Sequence, residues 1–476
     1  MSKPRPVSSI WRLAPAVLFA LATPALAAAS GAAAADVPAY VPPIWTVLPF
    51  AGMLLSIAVF PLVALHFWEH HVGKISAFWL VVAVLLMYAS VPAERGFFML
   101  YGPRFFSTAE EYIAFIVLLG SLFVISGGIH ISGHLPGTPG LNCAMLAIGG
   151  ALASLIGTTG ASMVMIRPLL RSNEHRKHPV HVIVFFIFIV SNLGGVLTPI
   201  GDPPLFLGFL AGIPFEWTLR LWPQWLISLA LLLGLFYVWD ARLAKRDGVV
   251  HPPGKLHFRI AGKCNIVLLL GVVAAVVLSG VVHFETVIPF GRLGVLHIEG
   301  LLRDGIQILL AGISLAVTAH SVRRGNNFNF GPIREVAVLF IGIFATMIPA
   351  LMLLNARGGE LGLDSPAKYF WISGLLSSVL DNAPTYLAFL ATAMGALGLQ
   401  DAVQMLHSTR GVNILEAISV GSVFMGANTY IGNGPNFMVK SIAEQHGVKM
   451  PSFFGYMLYS GLILVPLFIL VTVLFF

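Results

Sequence analysis

Two aspartates stand out because each interrupts a stretch of the chain that is otherwise apolar. Asp202 lies in Thr198–Pro204, and Asp381 lies in Leu380–Thr385. An ionised aspartate at the centre of a bilayer costs about 2.5 to 3.5 kcal/mol on insertion scales, so an acid in such a segment indicates a functional site. Its chemistry there is to bind a cation or to exchange a proton. The alternative for both is helix capping, for which Asp202, just before two prolines, is well placed.

Other groups that carry oxygen lie near the two aspartates in the sequence. In the glycine- and proline-rich segments they are Asn192, Thr198, Gly201, Asn428, Thr429, Asn433 and Asn436. In two further interrupted segments they are Thr158, Thr159, Ser162, Ser377, Ser378, Asn382 and Thr385. Oxygen ligands suit a hard cation such as sodium, whereas the N-terminal ends of broken helices suit an anion. The residue types alone leave both kinds of substrate open.

At two places the sequence predicts that the backbone does not continue as a regular helix. Proline removes a backbone donor and clashes with the preceding turn. The sequences Thr198-Pro-Ile-Gly-Asp-Pro-Pro204 and Thr429-Tyr-Ile-Gly-Asn-Gly-Pro435 should therefore unwind. Unwinding exposes carbonyl oxygens and helix ends, the groups from which transporters build their sites.

The two breaks match each other. A shift of 231 positions places Ser191–Phe206 on Ser422–Phe437 and gives seven identical pairs in sixteen positions. The pairs are Ser191/Ser422, Gly195/Gly426, Thr198/Thr429, Ile200/Ile431, Gly201/Gly432, Pro204/Pro435 and Phe206/Phe437. Paired, interrupted apolar segments are the best sequence pointer to a transporter's binding site. The copies differ in charge, because Asn433 stands where the first copy has Asp202.

The composition indicates that lipid surrounds most of the chain. The 476 residues are 57% hydrophobic and 10% charged, with a mean hydropathy of +0.89. A soluble protein has about 25% charged residues. The net charge of +7 does not indicate nucleic acid, because the basic residues cluster in short loops. The two cysteines, Cys143 and Cys264, do not have metal-ligand spacing and do not suggest a disulfide framework.

Apolar runs predict the membrane spans, each of which needs about 20 residues. The plain spans are Ile44–His66, Ile75–Ala93, Tyr112–Ile131, Val180–Ile200, Trp217–Trp239, Cys264–His283, Gly305–Ala319, Glu335–Leu354, Val412–Ile431 and Phe453–Phe476. Leu141–Leu170 and Tyr369–Leu397 are too long for one helix and are interrupted near the middle. We predict that each is a re-entrant hairpin with a polar tip at mid-membrane depth.

Basic residues set the orientation through three predicted cytoplasmic loops. The loops are marked by Arg167, Arg171, Arg176 and Lys177, by Arg242, Lys245, Arg246, Lys255, Arg259 and Lys263, and by Arg323, Arg324 and Arg334. The first hairpin then enters from the cytoplasm and the second from outside. At the N-terminus, basic residues, an apolar stretch and Ala25-Leu26-Ala27 predict a secretory signal peptide, with an uncleaved first helix as the alternative.

These elements predict an all-α fold, a polytopic membrane protein of about 10 to 12 helices. It contains two inverted-topology repeats, each with a re-entrant hairpin and a broken helix. The predicted parts are a signal peptide or dispensable segment (1–35), N-terminal scaffold helices (36–111), transport repeat 1 (112–239), a connector with scaffold helices (240–334) and transport repeat 2 (335–476).

The layout of hairpin tip and broken helix, given twice, resembles the ion transporter superfamily. That superfamily includes NhaD-type sodium/proton antiporters, citrate and dicarboxylate transporters and arsenite permeases. The resemblance covers about Ile44 to the C-terminus, and TPIGDPP and SSVLDNAPTY are most similar to the NhaD-type and the related citrate-transporter (CitMHS-like) branches. It implies roles for Asp202, Asp381 and Asn382, and a homodimer with a scaffold and a mobile transport region. The dicarboxylate pattern fits less well, because neither hairpin contains Ser-Asn-Thr and GDPPL replaces Gly-Thr-Pro-Pro-Asn.

We therefore expect a secondary transporter of the bacterial inner membrane that exchanges sodium or lithium for protons. Sodium would bind at Asp202, Asp381 and Asn382, and protons would compete for the same carboxylates. The expected partners are the lipid bilayer and a small inorganic ion or a carboxylate. No cofactor is expected besides the coupling ions, sodium and/or proton, and no nucleic acid is expected.

Other functions stay open at this point. The main alternative is a sodium- or proton-coupled citrate or dicarboxylate transporter, in which helix N-termini with Thr159, Asn382 and Thr385 hold the anion. An arsenite permease is the third. A remote alternative is an intramembrane aspartyl protease, which needs two carboxylates close enough to share a proton.

Overall fold

The computed structural model describes residues 40–134, 136–247, 257–282, 284 and 286–476. The predicted signal peptide (1–35) lies outside the described residues, so it stays a prediction.

Helices make up nearly all of the described structure. The α-helices are α1 (Leu48–Val63), α2 (Leu65–Ser90), α3 (Phe97–Ser126), α4 (Pro139–Ile156), α5 (Thr158–Ser172), α6 (Val180–Ile189), α7 (Pro203–Leu210), α8 (Trp222–Arg246), α9 (Cys264–Val281), α10 (Ile298–Val317), α11 (His320–Gly325), α12 (Gly331–Arg357), α13 (Pro366–Ser377), α14 (Asn382–Leu397), α15 (Thr409–Met425), α16 (Gly434–Gln445) and α17 (Phe453–Phe475). Short 3-10 helices cover Ile44–Val47, Leu193–Leu197, Phe215–Leu221, Gly358–Leu361, Val403–His407 and Gly426–Asn428.

Two small antiparallel strand pairs supplement the helices. Strand β1 (His130–His134) pairs with β2 (His257–Ala261), and β3 (Val287–Pro289) pairs with β4 (Val295–His297). The first pair joins the end of α3 to the segment before α9. The strands are too short for the alternating pattern by which a sequence reveals β-structure.

Ten helical segments of the described chain are long and apolar enough to cross a membrane. The prediction of a polytopic all-α membrane protein is therefore confirmed. Several predicted boundaries were wrong; α6, for example, ends at Ile189 rather than Ile200 and α2 begins at Leu65 rather than Ile75. Helix α3 begins at Phe97 rather than Tyr112, and α8 continues to Arg246 rather than Trp239. In both helices the missed turns carry charged residues, which an apolar run excludes.

Each interrupted segment folds back on itself. Helices α4 and α5 pack together and are joined by Gly157, whose φ of +78° is a conformation that favours glycine. We call this pair hairpin 1. Helices α13 and α14 also pack together and are joined by Ser378–Asp381; we call them hairpin 2. Both turns lie where the sequence predicted an interruption. The division of the chain into two repeats stays a prediction.

The helix that precedes break 1 is held in the centre of the molecule. Apart from His181, the residues of α6 are apolar, and all of them after Val180 are buried. It leads into break 1, which runs from Val190 to Asp202, before α7 begins. Break 2 runs from Gly426 to Asn433, between α15 and α16. Proline occupies an early position of both α7 and α16, where a missing N–H costs little.

The first predicted basic loop needs correction. Arg167 and Arg171 lie inside α5 rather than in the loop, which begins only after Ser172. Arg176 does lie in the loop but is buried, and its guanidinium forms an ion pair with the buried carboxylate of Asp240 on α8. Sequence analysis treated these arginines as solvated topology markers because their partners are distant along the chain.

Candidate ion-binding site

Asp202 is the point at which both hairpin tips and both breaks meet. Its side chain is buried, with only 1% of the residue exposed. Oδ1 accepts a hydrogen bond from Thr158 Oγ1 at 2.9 Å and one from Asn433 Nδ2 at 3.2 Å. Oδ2 accepts from Asn382 Nδ2 at 2.6 Å. The three donors come from the tip of hairpin 1, from break 2 and from the start of α14.

The local sequence directs this carboxylate away from its own helix. Asp202 is the N-cap residue of α7, yet its side chain makes no capping hydrogen bond. The first two residues of α7 are Pro203 and Pro204, which have no N–H to offer. The carboxylate therefore finds its donors across the site, and the capping alternative does not hold for Asp202.

Asp381 has the helix-capping role that was an alternative for Asp202. It is the N-cap residue of α14, and its Oδ1 accepts a hydrogen bond from the Ala383 N–H at 3.1 Å. Thr385 Oγ1 donates to the Asp381 carbonyl oxygen at 2.9 Å. Asp381 is half-buried, whereas its neighbour Asn382 is fully buried. Through Asn382, the tip of hairpin 2 reaches Asp202.

One threonine within each break binds it to a hairpin. Thr198 Oγ1 donates to the carbonyl oxygen of Ser154 on α4. Thr429 Oγ1 donates to the carbonyl oxygen of Ser378 at 2.5 Å, beside α13. Asn428 Nδ2 donates to the Ser378 hydroxyl at 2.9 Å. Each break is thus fixed to the first helix of a hairpin by the same kind of bond.

Close backbone crossings explain the glycine identity Gly201/Gly432 between the breaks. A Cβ on Gly201 would lie 2.0 Å from the Gly195 oxygen, and a Cβ on Gly432 would lie 2.5 Å from the Gly426 oxygen. Either distance is far shorter than a van der Waals contact. Both crossings therefore require glycine.

Amide side chains connect break 1 to break 2 through the first turn of α16. Asn192 Nδ2 donates to Asn436 Oδ1 at 2.7 Å. Asn436 Nδ2 in turn donates to the Gly426 and Thr429 carbonyl oxygens at 2.8 and 2.9 Å. Asn192, which sequence analysis placed among the oxygen-bearing groups of the interrupted segments, thereby joins the site.

Several buried oxygens at this centre have no donor. Oδ1 of Asn382, of Asn192 and of Asn428 makes no hydrogen bond within the described structure. A buried acceptor without a partner calls for an ion, water or other donor. Amide oxygens beside a carboxylate are the ligands that a hard cation prefers.

A small cavity adjoins the tip of hairpin 1. Its volume is about 20 Å³, and its polar wall includes Thr158, Thr159 and the Gly201 backbone. Leu119, Leu122 and other apolar residues of α3 and the tip form the rest. Such a volume holds about one water molecule or one small ion. Thr159 therefore lies at the site without touching Asp202.

The predicted residues thus differ in how close they come to Asp202. Thr158, Asn382 and Asn433 bond its carboxylate, whereas Thr198, Gly201, Ser378, Thr429 and Asn436 shape the breaks around it. Asp381 and Thr385 form the cap of α14.

Comparison with known proteins also indicates a membrane transporter. Residues 40–476 match the family described as "Putative citrate transport". The chain belongs to this family. Proteins named as uncharacterized transporters in Mycobacterium bovis and in Mycobacterium tuberculosis are each 25% identical over 330 residues, which cover 64% of this chain and 70% of each relative. One in Synechocystis is 23% identical over 295 residues, 56% of this chain and 62% of the relative.

These findings confirm the predicted resemblance to the CitMHS-like branch and indicate a multi-pass membrane transporter.

Proposed function

We propose that the protein exchanges sodium or lithium for protons at Asp202, in the inner membrane of a bacterium. One observation carries the proposal: the carboxylate is fully buried, and its three side-chain partners are all neutral. None of the salt bridges between described residues includes Asp202. A buried carboxylate without a fixed cation must be neutralised by a proton or by a bound cation. Because the two occupants exclude each other, the site couples their movements.

The helix ends around the site favour a cation over an anion. An anion would need free N–H groups at a helix N-terminus. Pro203 and Pro204 remove two of them from α7. In α14 the Ala383 N–H is taken by Asp381, and Pro384 has none. Acceptor oxygens, in contrast, are plentiful.

The cation would have oxygen ligands from three elements. Asp202 supplies the charge, Asn382 Oδ1 is a buried acceptor without a donor, and the Thr158 hydroxyl already contacts the carboxylate. Because these residues lie on break 1 and on the two hairpins, cation binding would draw the tips together. Proton binding would neutralise the Asp202 carboxylate, so that its charge would no longer hold the hairpin tips together.

A sodium- or proton-coupled citrate or dicarboxylate transporter is the second candidate, and the family description favours it. In that mechanism Asp202 would bind the coupling cation, and Thr159 and neighbouring groups would bind the carboxylate. The cavity of about 20 Å³ beside Thr159 is too small for citrate, so the hairpin tips would have to separate first.

The protease alternative is not proposed. The carboxylates of Asp202 and Asp381 bond different groups within the described structure and share no hydrogen bond with each other. An aspartyl protease needs two carboxylates that share one proton.

The exchange reaction can be tested in inverted membrane vesicles with a pH-sensitive dye. We expect sodium or lithium to dequench the dye with the wild-type protein and not with Asp202→Asn. Asp364→Asn is the matched control, because that carboxylate is exposed and forms a salt bridge with Lys368 at the surface. Wild-type vesicles that contain the protein and respond to neither ion would overturn the proposal.

The second candidate is tested separately by uptake of labelled citrate or succinate into proteoliposomes. Uptake that depends on Asp202, without cation-driven proton movement, would replace exchange by coupled carboxylate transport.

A further inference from the structure

Arg167 is a buried charge that the exchange reaction does not use. It lies on α5 nine residues after Thr158, about 13 Å along the helix toward its basic end. Only 7% of the residue is exposed, and its Nε and Nη1 have no hydrogen-bond partner in the described structure. The salt bridges between described residues do not include it.

Among the described residues, no salt bridge neutralises this guanidinium. Arginine keeps its proton in proteins, so it cannot become neutral as a buried lysine does. Asp240, the buried acid at this end of hairpin 1, is already bound by Arg176 and by His181 Nε2 at 2.8 Å. An unpaired charge out of water is strongly destabilising. A counter-ion from outside the chain would remove that cost.

A second guanidinium lies one helical turn beyond Arg167. Arg171 is on the same face of α5, and its Nη2 donates to the Ile131 carbonyl oxygen. Arg171 stands in the last turn of α5, where the negative end of the helix dipole and that carbonyl oxygen stabilise its positive charge. Arg167 lies deeper, where neither group stabilises its charge.

We infer that Arg167, with Arg171, binds a small oxyanion at the basic end of hairpin 1. A guanidinium donates charge-assisted hydrogen bonds to a carboxylate or a phosphate, and the Nε and Nη1 donors of Arg167 have no partner in the described structure. The site is separate from Asp202 and lies on the helix whose first residue, Thr158, bonds that carboxylate. The bound anion would therefore stabilise the helix that positions the exchange site.

The test is the thermal unfolding of purified full-length protein with citrate, succinate or inorganic phosphate, at an ionic strength fixed with chloride. We expect at least one oxyanion to raise the Tm of the wild type. Arg167→Gln should weaken that response roughly 10- to 100-fold in concentration, since a charged hydrogen-bonding partner is lost. Arg324→Gln, on an exposed arginine of α11, is the control and should respond as the wild type.

Other variants keep the result decisive. If Arg167→Gln does not fold, Arg167→Lys keeps the charge without the planar fork and should bind more weakly than the wild type. Asp202→Asn should retain the oxyanion response whether or not the exchange proposal is right. A wild type that responds to none of the three oxyanions overturns the inference, as does an Arg167→Gln response equal to that of the wild type. Loss of the response in Asp202→Asn would place the anion elsewhere and also overturn it.

Discussion

At the scale of single residues, the two aspartates carry out different tasks. Asp202 joins three elements, whereas Asp381 caps α14. Asparagine caps a helix about as well as aspartate does, and alanine costs about 1 kcal/mol at such a position. We therefore expect Asp381→Asn to retain cation-driven proton movement. We expect Asp381→Ala to lower the Tm but still to retain that movement. Loss of all movement in a folded Asp381→Asn protein would instead make Asp381 a ligand of the ion.

The neighbouring threonines of the first tip provide a matched pair. The Thr158 hydroxyl bonds the Asp202 carboxylate, whereas Thr159 lines the cavity beside it. Thr158→Val removes a donor to the charged form of Asp202, so more cation should be needed to displace the proton. We expect the sodium concentration for half-maximal dequenching to rise roughly 10-fold.

Thr159→Val keeps that hydrogen bond and should change the sodium requirement much less. Equal effects of the two substitutions would show that the tip acts through its shape rather than through the Thr158 bond.

Sequence analysis found the acids from their residue type but did not predict their roles. Asn382 reaches Asp202 across 180 positions of the chain, and no local pattern reports such a contact. The two prolines suggested a cap at Asp202, although the same prolines remove the N–H groups that a capping carboxylate would bind. Counting the available donors, rather than ranking the acids, would have separated the two residues.

At the scale of elements, the crossing of break 1 depends on Gly201. A Cβ there would lie 2.0 Å from the Gly195 oxygen, and backbone cannot move aside as a flexible side chain does. We expect Gly201→Ala to destabilise the fold by about 3 kcal/mol or more, seen as loss of monodisperse protein or a lower Tm.

Gly234→Ala on α8 is the control for that substitution, because a Cβ there meets only open space. An alanine inside a helix is better than glycine by roughly 0.5 to 1 kcal/mol, so this variant should be as stable as the wild type or slightly more stable. A Gly201→Ala protein of normal stability would contradict the described crossing.

The base of hairpin 1 is fixed by buried charges. Asp240 on α8 binds Arg176 and His181, and its Oδ2 accepts from Asn142 Nδ2 of α4 at 3.1 Å. Asp240→Leu would leave the Arg176 guanidinium buried without a carboxylate. Breaking such a pair costs about 3 to 5 kcal/mol, so we expect a large drop in Tm.

Replacing both partners should recover much of that loss, since a buried ion pair adds little net stability over apolar residues. The double variant Arg176→Leu/Asp240→Leu should therefore unfold at a higher temperature than Asp240→Leu alone. A double variant as unstable as the single one would indicate that Arg176 contributes more through the Gly137 carbonyl, which it also bonds.

Sequence analysis located the interruptions of the helices well and their ends less well. Glycine, proline and polar residues lie at or beside Gly157 and the turn Ser378–Asp381, so the positions of both turns follow from the local sequence. The first turns of α3 contain Arg104, Glu110 and Glu111, and a search for apolar runs stops at such residues. Only Tyr101 and Gly102 in these turns are buried, so hydropathy does not show that the helix continues through them.

At the scale of the whole molecule, the two breaks meet at a pair of residues that the 231-residue shift aligns. Asp202 and Asn433 are related by the 231-residue shift and are hydrogen-bonded to each other at 3.2 Å. Two copies related by a two-fold axis bring equivalent residues together only near that axis. The exchange site would then lie at the centre of the molecule, with one hairpin approaching from each face.

That arrangement makes opposite predictions for the loops that follow the two hairpins. Lys177 follows hairpin 1 in a basic loop, whereas Asp401 follows hairpin 2, and both are exposed. In a background with Cys143 and Cys264 replaced by alanine, a membrane-impermeant maleimide should label Asp401→Cys in right-side-out vesicles and Lys177→Cys only in inverted ones. Arg324→Cys, in another predicted cytoplasmic loop, should label as Lys177→Cys does. If Lys177→Cys and Asp401→Cys label from the same face, the hairpins do not enter from opposite sides, and an exchange mechanism built on inverted copies would have to be abandoned even if Asp202 binds the ion.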